Sequence, residues 1–330
     1  MASSEITLGE MFQTAGYRTA LFGKWHLGTP LEFSPNRQGF DEFFGFKEGA
    51  MDSYSHFYYW SGMNRHVLFH NEAPHHEEGA YFPDMVVRQS TRFITENRDR
   101  PFFLCLPFNL PHYPLQPPVG SVERFAHIAD PLRRQYAACV WALYECVGRV
   151  VSCLEENGLR QETIIVFSSD HGPSTEERGG GGSAGTLRGH KGTLWEGGIR
   201  VPGIFSCPGT IPAGQVRAQP AMSTDLLATW CGVPPPARQL HGHDLAPVIA
   251  SAAAAPSRPI LQWTYRGDWA LREGPWKFTV EKDSGFLARL DEDPGESRNR
   301  AAEETARVER YVDTHNRWIR GLTAARKAGL

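Results

Sequence analysis

The stretch that most constrains what this chain can fold into is 163–172, TIIVFSSDHG. Ile164, Ile165, Val166 and Phe167 form an unbroken apolar run rich in β-branched residues. That pattern suits a strand buried on both faces, as in a parallel sheet covered by helices. The run stops at Ser168, Ser169, Asp170 and His171 and is closed by Gly172-Pro173. In open α/β sheets ligands sit outside the carboxyl ends of the strands, which places Asp170 and His171 where chemistry is done. Taken alone, the segment fits a solvated turn equally well.

Repetition decides between the two. A helix is predicted near Thr7–Ala15, with Leu8, Met11, Phe12 and Ala15 on one face, Thr7 and Glu10 at capping-box spacing, and Gly16 as its stop. It feeds a strand at Tyr17–Phe22 and then GKWHLG at 23–28. A second helix around Asp84–Glu96 leads through RDRP to an apolar strand, Phe102–Pro107, followed by NLPHYP at 109–114. A third, Pro131–Glu156, is closed by Asn157-Gly158 and leads to the opening strand. Three times a helix feeds a strand whose far end carries basic or metal-capable side chains: Lys24 and His26, then His112, then Asp170 and His171. The intervening segment 29–82 is rich in aromatics, His, Gly and Pro and lacks periodicity. Its apolar anchors, FDEFFGF and HFYYW, predict a long ordered excursion over the active-site face.

Four consecutive glycines open the stretch 179–205, which runs into Lys191, Trp195 and Arg200 and a strand at Val201–Ser206. A phosphate loop requires G-x-x-x-x-G-K-[ST]; here His190 separates Gly189 from Lys191, so a nucleotide site is rejected. Lys191 reads either as a solvated lysine or as an anion ligand. A helix around Met222–Cys231 and a proline-rich turn at 234–236 follow. The small-residue stretch Ala250–Ala255 marks a boundary, dividing the chain into a main α/β domain, 1–250, and a C-terminal α+β subdomain, 256–330. In the latter PILQWTY, WALREG, WKFTV and FLARL predict a small antiparallel sheet, with a helix at Ala301–Lys327 packed on it.

A net charge of −3 offers no electrostatic case for nucleic acid or an anionic membrane. No apolar run in the sequence reaches bilayer-spanning length, and the opening residues carry no secretory signal. No N-x-[ST] sequon occurs. Of the six cysteines, Cys139, Cys146 and Cys153 recur every seven residues along one helix, about 10 Å apart, too far to bridge. They read as small core hydrophobes, and no C-x-x-C pair suggests zinc or redox chemistry.

The chemical inventory is therefore one carboxylate, four histidines, two lysines and an arginine, most of them at strand ends. A carboxylate suits a hard cation, and lysines and histidines around it suit sulfate or phosphate. Metal-assisted hydrolysis of an anionic ester follows. His171 is a poor ligand for calcium, which prefers oxygen, and is better suited to zinc or to hydrogen-bond donation.

GYRTALFGKWHLG (16–28) resembles a signature of the type I sulfatases of the alkaline-phosphatase-like superfamily. The resemblance continues through PFFLCLPFNLPHYP, TIIVFSSDHGP, LRGHKGTLWEGGIRVPGI and, more weakly, REGPWKF and LDEDPGESRN, in the family's order. It implies a mainly parallel sheet flanked by helices, with a small C-terminal antiparallel sheet and helix. It also implies a sulfatase of the arylsulfatase or N-acetylgalactosamine-6-sulfatase type, hydrolysing a sulfate ester to an alcohol and sulfate. By the same resemblance Asp170 and His171 match ligands of a Ca2+, or of Mg2+ in its place. Lys24 and Lys191 match lysines that bind sulfate oxygens, His112 the histidine that protonates the leaving oxygen, and His26 the residue that orients the nucleophile. Arg200 is assigned a structural place. The partner implied is a sulfated small molecule or glycan.

The family's nucleophile is formylglycine, generated in C-x-P-x-R or S-x-P-x-R after a strand ending in paired aspartates. Neither element occurs here: Cys105-Leu-Pro-Phe-Asn lacks the arginine, and Ala254-Ala-Pro-Ser-Arg lacks the cysteine. The expectation is an N-terminally truncated sulfatase whose missing strand would leave apolar sheet edge uncovered. Two alternatives are a non-catalytic relative that binds sulfated ligands, and a phosphodiesterase or phosphonate hydrolase of the same superfamily. The sequence assigns no particular sulfated substrate, compartment or oligomeric state.

Overall fold

A computed structural model describes residues 5–175, 180–230, 242–251 and 260–327. Contacts group the chain into two compact units, the first made of Met1–Thr163 with Cys207–Thr210 and Leu227–Ala237, the second of Ile164–Ser206, Ile211–Leu226 and Arg238–Leu330.

The first unit begins with α1 (Leu8–Thr14), whose start carries the anticipated capping box. The Glu10 N–H donates to Thr7 Oγ1 at 3.0 Å, and the Thr7 N–H donates to Glu10 Oε2 at 2.8 Å. Next come β1 (Arg18–Lys24), β2 (Glu42–Phe46), a hairpin of β3 (Phe57–Tyr58) and β4 (Arg65–His66), then β5 (Phe69–His70) and β6 (Ala73–Pro74). After α2 (Phe82–Glu96) the chain returns as β7 (Phe102–Cys105). The sheet order is β6-β5-β2-β1-β7, with β2 and β7 both parallel to β1. Its core lies on both faces. Ala20, Phe22, Phe44 and Phe46 meet Phe82, Val86 and Phe93 of α2, while Leu21, Trp25, Phe40 and Phe43 form a second cluster. Burial on both sides explains why these strands read as continuous apolar runs.

The aromatic segment FDEFFGF is more than an anchor for an excursion, as the sequence suggested; as β2 it is an interior strand of the sheet. The parallel register sets Gly23 opposite Gly45. A Cβ at Gly45, whose φ is +152°, would fall 1.8 Å from the Gly23 carbonyl oxygen. Close approach of the two strands there requires glycine.

Helix α3 (Pro131–Glu156) has the predicted bounds, with Asp130 accepting from the Leu132 N–H at 2.9 Å as its cap. Cys139, Cys146 and Cys153 are buried and unbridged, and burial pushes the Cys139 and Cys146 thiols up to about 12. By length and composition alone α3 could cross a membrane. Its buried residues pack with Tyr81, Leu110 and Leu115, and Arg149 pairs with Asp84 of α2. That is the arrangement of an amphipathic core helix.

In the second unit β8 (Ile165–Ser168) is followed by α4 (Glu196–Ile199) and β9 (Gly203–Ser206). Here the structure departs from expectation. β8 pairs antiparallel with β9 in a separate two-stranded sheet, its apolar residues are only half-buried, and Ile164 before it is 45% exposed. A strand is enclosed only when both edges and both faces are covered, and among the described residues β8 has one strand neighbour.

Short helices α5 (Thr224–Thr229) and α6 (Ala246–Ala250) follow. Cys231, the turn at 234–236 and most of the expected boundary at 250–255 lie outside the described residues. The C-terminal meander is as predicted: β10 (Leu261–Tyr265), β11 (Asp268–Glu273), β12 (Trp276–Glu281) and β13 (Ser284–Arg289), each antiparallel to the next. Helix α7 (Thr305–Lys327) packs on it, Tyr311 joining Leu271, Phe278 and Leu287 in one buried cluster.

Candidate functional site

Within the first unit the carboxyl ends of β1, β2 and β7 are tied together by backbone. The Lys24 N–H donates to the Pro107 carbonyl at 2.8 Å and the Trp25 N–H to the Phe46 carbonyl at 2.9 Å. Trp25 is buried, and its indole N–H donates to the Phe33 carbonyl at 2.7 Å. Lys24 is half-buried, while His26 is exposed and adopts a left-handed backbone, φ 56°. Gly49 lies directly against the His26 imidazole, since a Cβ there would stand 2.7 Å from Nε2.

His26 borders a cavity of about 320 Å³ whose wall includes Lys47, Glu48, Gly49, Tyr58 and Arg65. Lys47 is buried and paired with Glu72 at 2.9 Å. The Arg65 guanidinium lies over the Tyr58 ring, 4.5 Å from its centre, and 3.4 Å from the Glu48 carboxylate. Sequence reading missed Lys47, Tyr58 and Arg65. Lys47 had a usable signal, since it follows β2 as directly as Lys24 ends β1; Tyr58 and Arg65 had none, because only the hairpin brings them to this wall.

His112 follows β7 in the segment containing the cis bonds Leu110-Pro111 and Tyr113-Pro114. Its Nδ1 is 2.5 Å from the Tyr113 carbonyl. A carbonyl only accepts, so Nδ1 carries a hydrogen and Nε2 is the nitrogen for proton transfer. The exposed Trp60 ring stands edge-on to this imidazole, centres 6.4 Å apart.

The second unit brings Asp170, His171 and Lys191 together on two loops that bond to each other. The Gly172 N–H donates to the Gly198 carbonyl at 2.9 Å, and the Lys191 N–H donates to the Pro173 carbonyl at 2.9 Å. A Cβ at Gly172 would fall 1.8 Å from the Gly197 carbonyl oxygen, so the E-G-G element closes against the D-H-G turn only because glycines meet there. His171 Nε2 is 3.2 Å from Asp170 Oδ2, and Nδ1 is 2.8 Å from the Gly172 carbonyl. The hydrogen bond to Asp170 holds the His171 pKa above its usual value, against partial burial and the charge of Lys191. Both ring nitrogens thus face oxygen acceptors, the environment of a hydrogen-bond donor.

These residues do not by themselves fit the cation the resemblance implies. Asp170 is largely exposed, His171 uses both nitrogens as donors, and among the described residues no cluster of three or more His, Cys, Asp or Glu could hold a metal. Calcium requires six to eight oxygen ligands. Formylglycine likewise has no matching motif in the 330 residues.

Behind the Lys191 loop lies a buried charge cluster. Lys277 of β12 sits 3.0 Å from Glu196 and 3.1 Å from Glu296, and the Glu196 N–H donates to Glu296 at 2.6 Å. Arg272 reaches Glu196 at 3.5 Å, and the more exposed Arg200 at 3.8 Å. Burial lifts the Glu296 pKa, partly countered by Lys277.

The sulfatase family model matches residues 2–233. The chain belongs to the sulfatase family. Arylsulfatase J of Mus musculus is 32% identical over 291 residues, covering 83% of this chain and 48% of the relative. N-acetylgalactosamine-6-sulfatase of Mus musculus is 32% identical over 283 residues, covering 81% and 52%. The chain thus spans about half the length of these curated relatives. Among solved structures, Ps i-CgsB in complex with k-i-k-neocarrahexaose superposes with a TM-score of 0.87 at 27% identity, covering 96% of this chain and 74% of that one. The sulfatase resemblance and its fold class are thereby established, and its α/β body with C-terminal antiparallel sheet is the sulfatase arrangement.

Proposed function

We propose that this chain acts on a sulfate ester, as the part of a sulfatase that binds the ester and protonates its leaving group during hydrolysis to alcohol and sulfate. What supports this is that Lys24 ends β1 and that His26 and His112 follow the carboxyl ends of the parallel, neighbouring strands β1 and β7 in the first unit, where an α/β sheet places its ligands. In this reading Lys24 holds sulfate oxygens and offsets the charge that develops on them. His112 gives the Nε2 proton to the leaving oxygen, and His26 orients the nucleophile. In the second unit Lys191 carries the other sulfate-binding role. The assignment of Asp170 and His171 to a cation rests on family membership alone, and no step is routed through it. The nucleophile is likewise not assigned to a residue of this chain.

The names of the mouse relatives and the neocarrahexaose held by the solved neighbour support a sulfated small molecule or glycan as substrate. The test is binding and turnover of p-nitrophenyl sulfate against bis-p-nitrophenyl phosphate on the full chain. The sulfate ester is expected to bind more tightly, and Lys24→Ala and Lys191→Ala each to weaken it by roughly tenfold or more, the scale of one lost charge-assisted contact. Preference for the phosphodiester, or unchanged affinity in both variants, overturns the reading. Binding without turnover assigns the chain to ligand capture.

A further inference from the structure

The hairpin β3–β4 borders two of the proposed site residues, sharing a cavity wall with one and a ring contact with the other. Tyr58 and Arg65, paired across it, share the cavity wall with His26. Trp60, in the turn between them, meets the His112 ring. Resting on the sulfate-ester reading, we propose that this hairpin is the leaving-group subsite, and that it takes a saccharide carrying a second anionic group, a carboxylate or another sulfate.

Two observations carry this. First, Trp60 is 48% exposed although it is apolar, and Tyr113, also beside His112, is 37% exposed. The Tyr59 ring lies between them, against both, and its hydroxyl donates to the Tyr113 carbonyl. A braced, exposed aromatic surface beside the proton donor suits the apolar face of a sugar ring, which a small alkyl sulfate lacks. Second, the Arg65 side chain remains 52% exposed while flattened on Tyr58, which aims a pre-oriented guanidinium into the cavity. Its contact to Glu48 is long, 3.4 Å, so an incoming carboxylate or sulfate can take the two-pronged geometry that Glu48 does not.

The test is calorimetric titration of the full chain with three probes: ethyl sulfate, galactose 6-sulfate, and a 6-O-sulfated disaccharide carrying one uronate. The disaccharide is expected to bind about tenfold more tightly than galactose 6-sulfate, and Arg65→Gln to erase that advantage while leaving galactose 6-sulfate unchanged. Trp60→Ala is expected to weaken both sugars several-fold and to leave ethyl sulfate within a factor of about two. Both side chains are exposed, and a melting curve for each variant confirms folding. If ethyl sulfate binds in a Lys24-dependent manner but neither variant changes sugar affinity, the subsite assignment is overturned and the sulfate-ester reading stands. If ethyl sulfate and the sugars all fail to bind, both fall together.

Discussion

The ammonium of Lys277 lies 3.0 Å from a carboxylate oxygen of Glu196, and neither side chain reaches solvent. Glu196 opens α4, directly after the loop that carries Lys191, while Lys277 belongs to the C-terminal meander, 81 residues away in sequence. The meander is therefore a structural support for the Lys191 loop, through the buried Lys277, held by Glu196 and Glu296, and through Arg272 of β11.

Removing the Lys277 ammonium takes the cation from Glu296 and leaves Glu196 with the longer contacts to Arg272 and Arg200. Lys277→Met is expected to destabilise the fold by about 3–5 kcal/mol, the usual cost of breaking a buried pair from one side. The triple variant Lys277→Met, Glu196→Gln, Glu296→Gln should recover part of the loss, because uncharged groups tolerate burial better. Urea unfolding of the two variants checks this; equal stability of Lys277→Met and the parent chain would show that the cluster is hydrated.

Gly49 tests the placement of His26. A methyl at this position meets the tip of an exposed imidazole, which can swing away. Gly49→Ala should therefore leave the melting temperature within about 2 °C, a shift of no more than about 1 kcal/mol for a chain of this size. It should still change the His26 ring environment, read as a shifted imidazole resonance in NMR. An unmoved resonance would show that the ring is not held where Gly49 touches it.

The hairpin near the cavity should be acid-sensitive. Burial holds the pKa of His56 below its usual 6.5, and the His66 pKa is lowered by burial, with the stacked His76 adding to it. Asp52 and Glu77 oppose the shift at His56, as Glu78 does at His66, while His75 reinforces both. The folded state thus favours neutral rings. Their stabilising contribution is fully present above pH 6.5 and is lost as pH falls through the lowered folded values. The protection of the backbone amides at 56–67, taken relative to the intrinsic exchange rate at each pH, should fall at pH 5.5 relative to pH 7.5, and His66→Phe should reduce the difference. Protection that is indifferent to pH would contradict the neutral assignment.

Two side chains are too few for a tight calcium site. Calcium at about 1 mM should leave the melting curve of this chain essentially unmoved, since stabilisation grows only once ligand exceeds Kd. A rise of several degrees, abolished by Asp170→Asn, would reveal further ligands.

Much of this molecule was legible in short stretches of sequence. The Thr7–Glu10 box, the Asp130 cap, the cysteine stripe of α3 and the meander of β10–β13 arise from neighbours a few residues apart, where hydrogen-bond geometry and periodicity act locally. Lys24, His26, His112, Asp170, His171 and Lys191 stood out for the same reason, as polar groups placed abruptly beside apolar runs or glycine turns. Pairing and contact were not legible, because they depend on which distant surface packs closest. Nothing local marks FDEFFGF as an interior strand until Gly45 meets Gly23. Nothing marks Gly49 until His26 lies against it, or Lys277 until burial forces it to find Glu196. β8 shows the converse: its composition suits a strand enclosed on both faces, but enclosure is a property of its neighbours, and among the described residues its one strand neighbour, β9, covers one edge. Local chemistry chose the elements and the reactive side chains; long-range packing chose their partners.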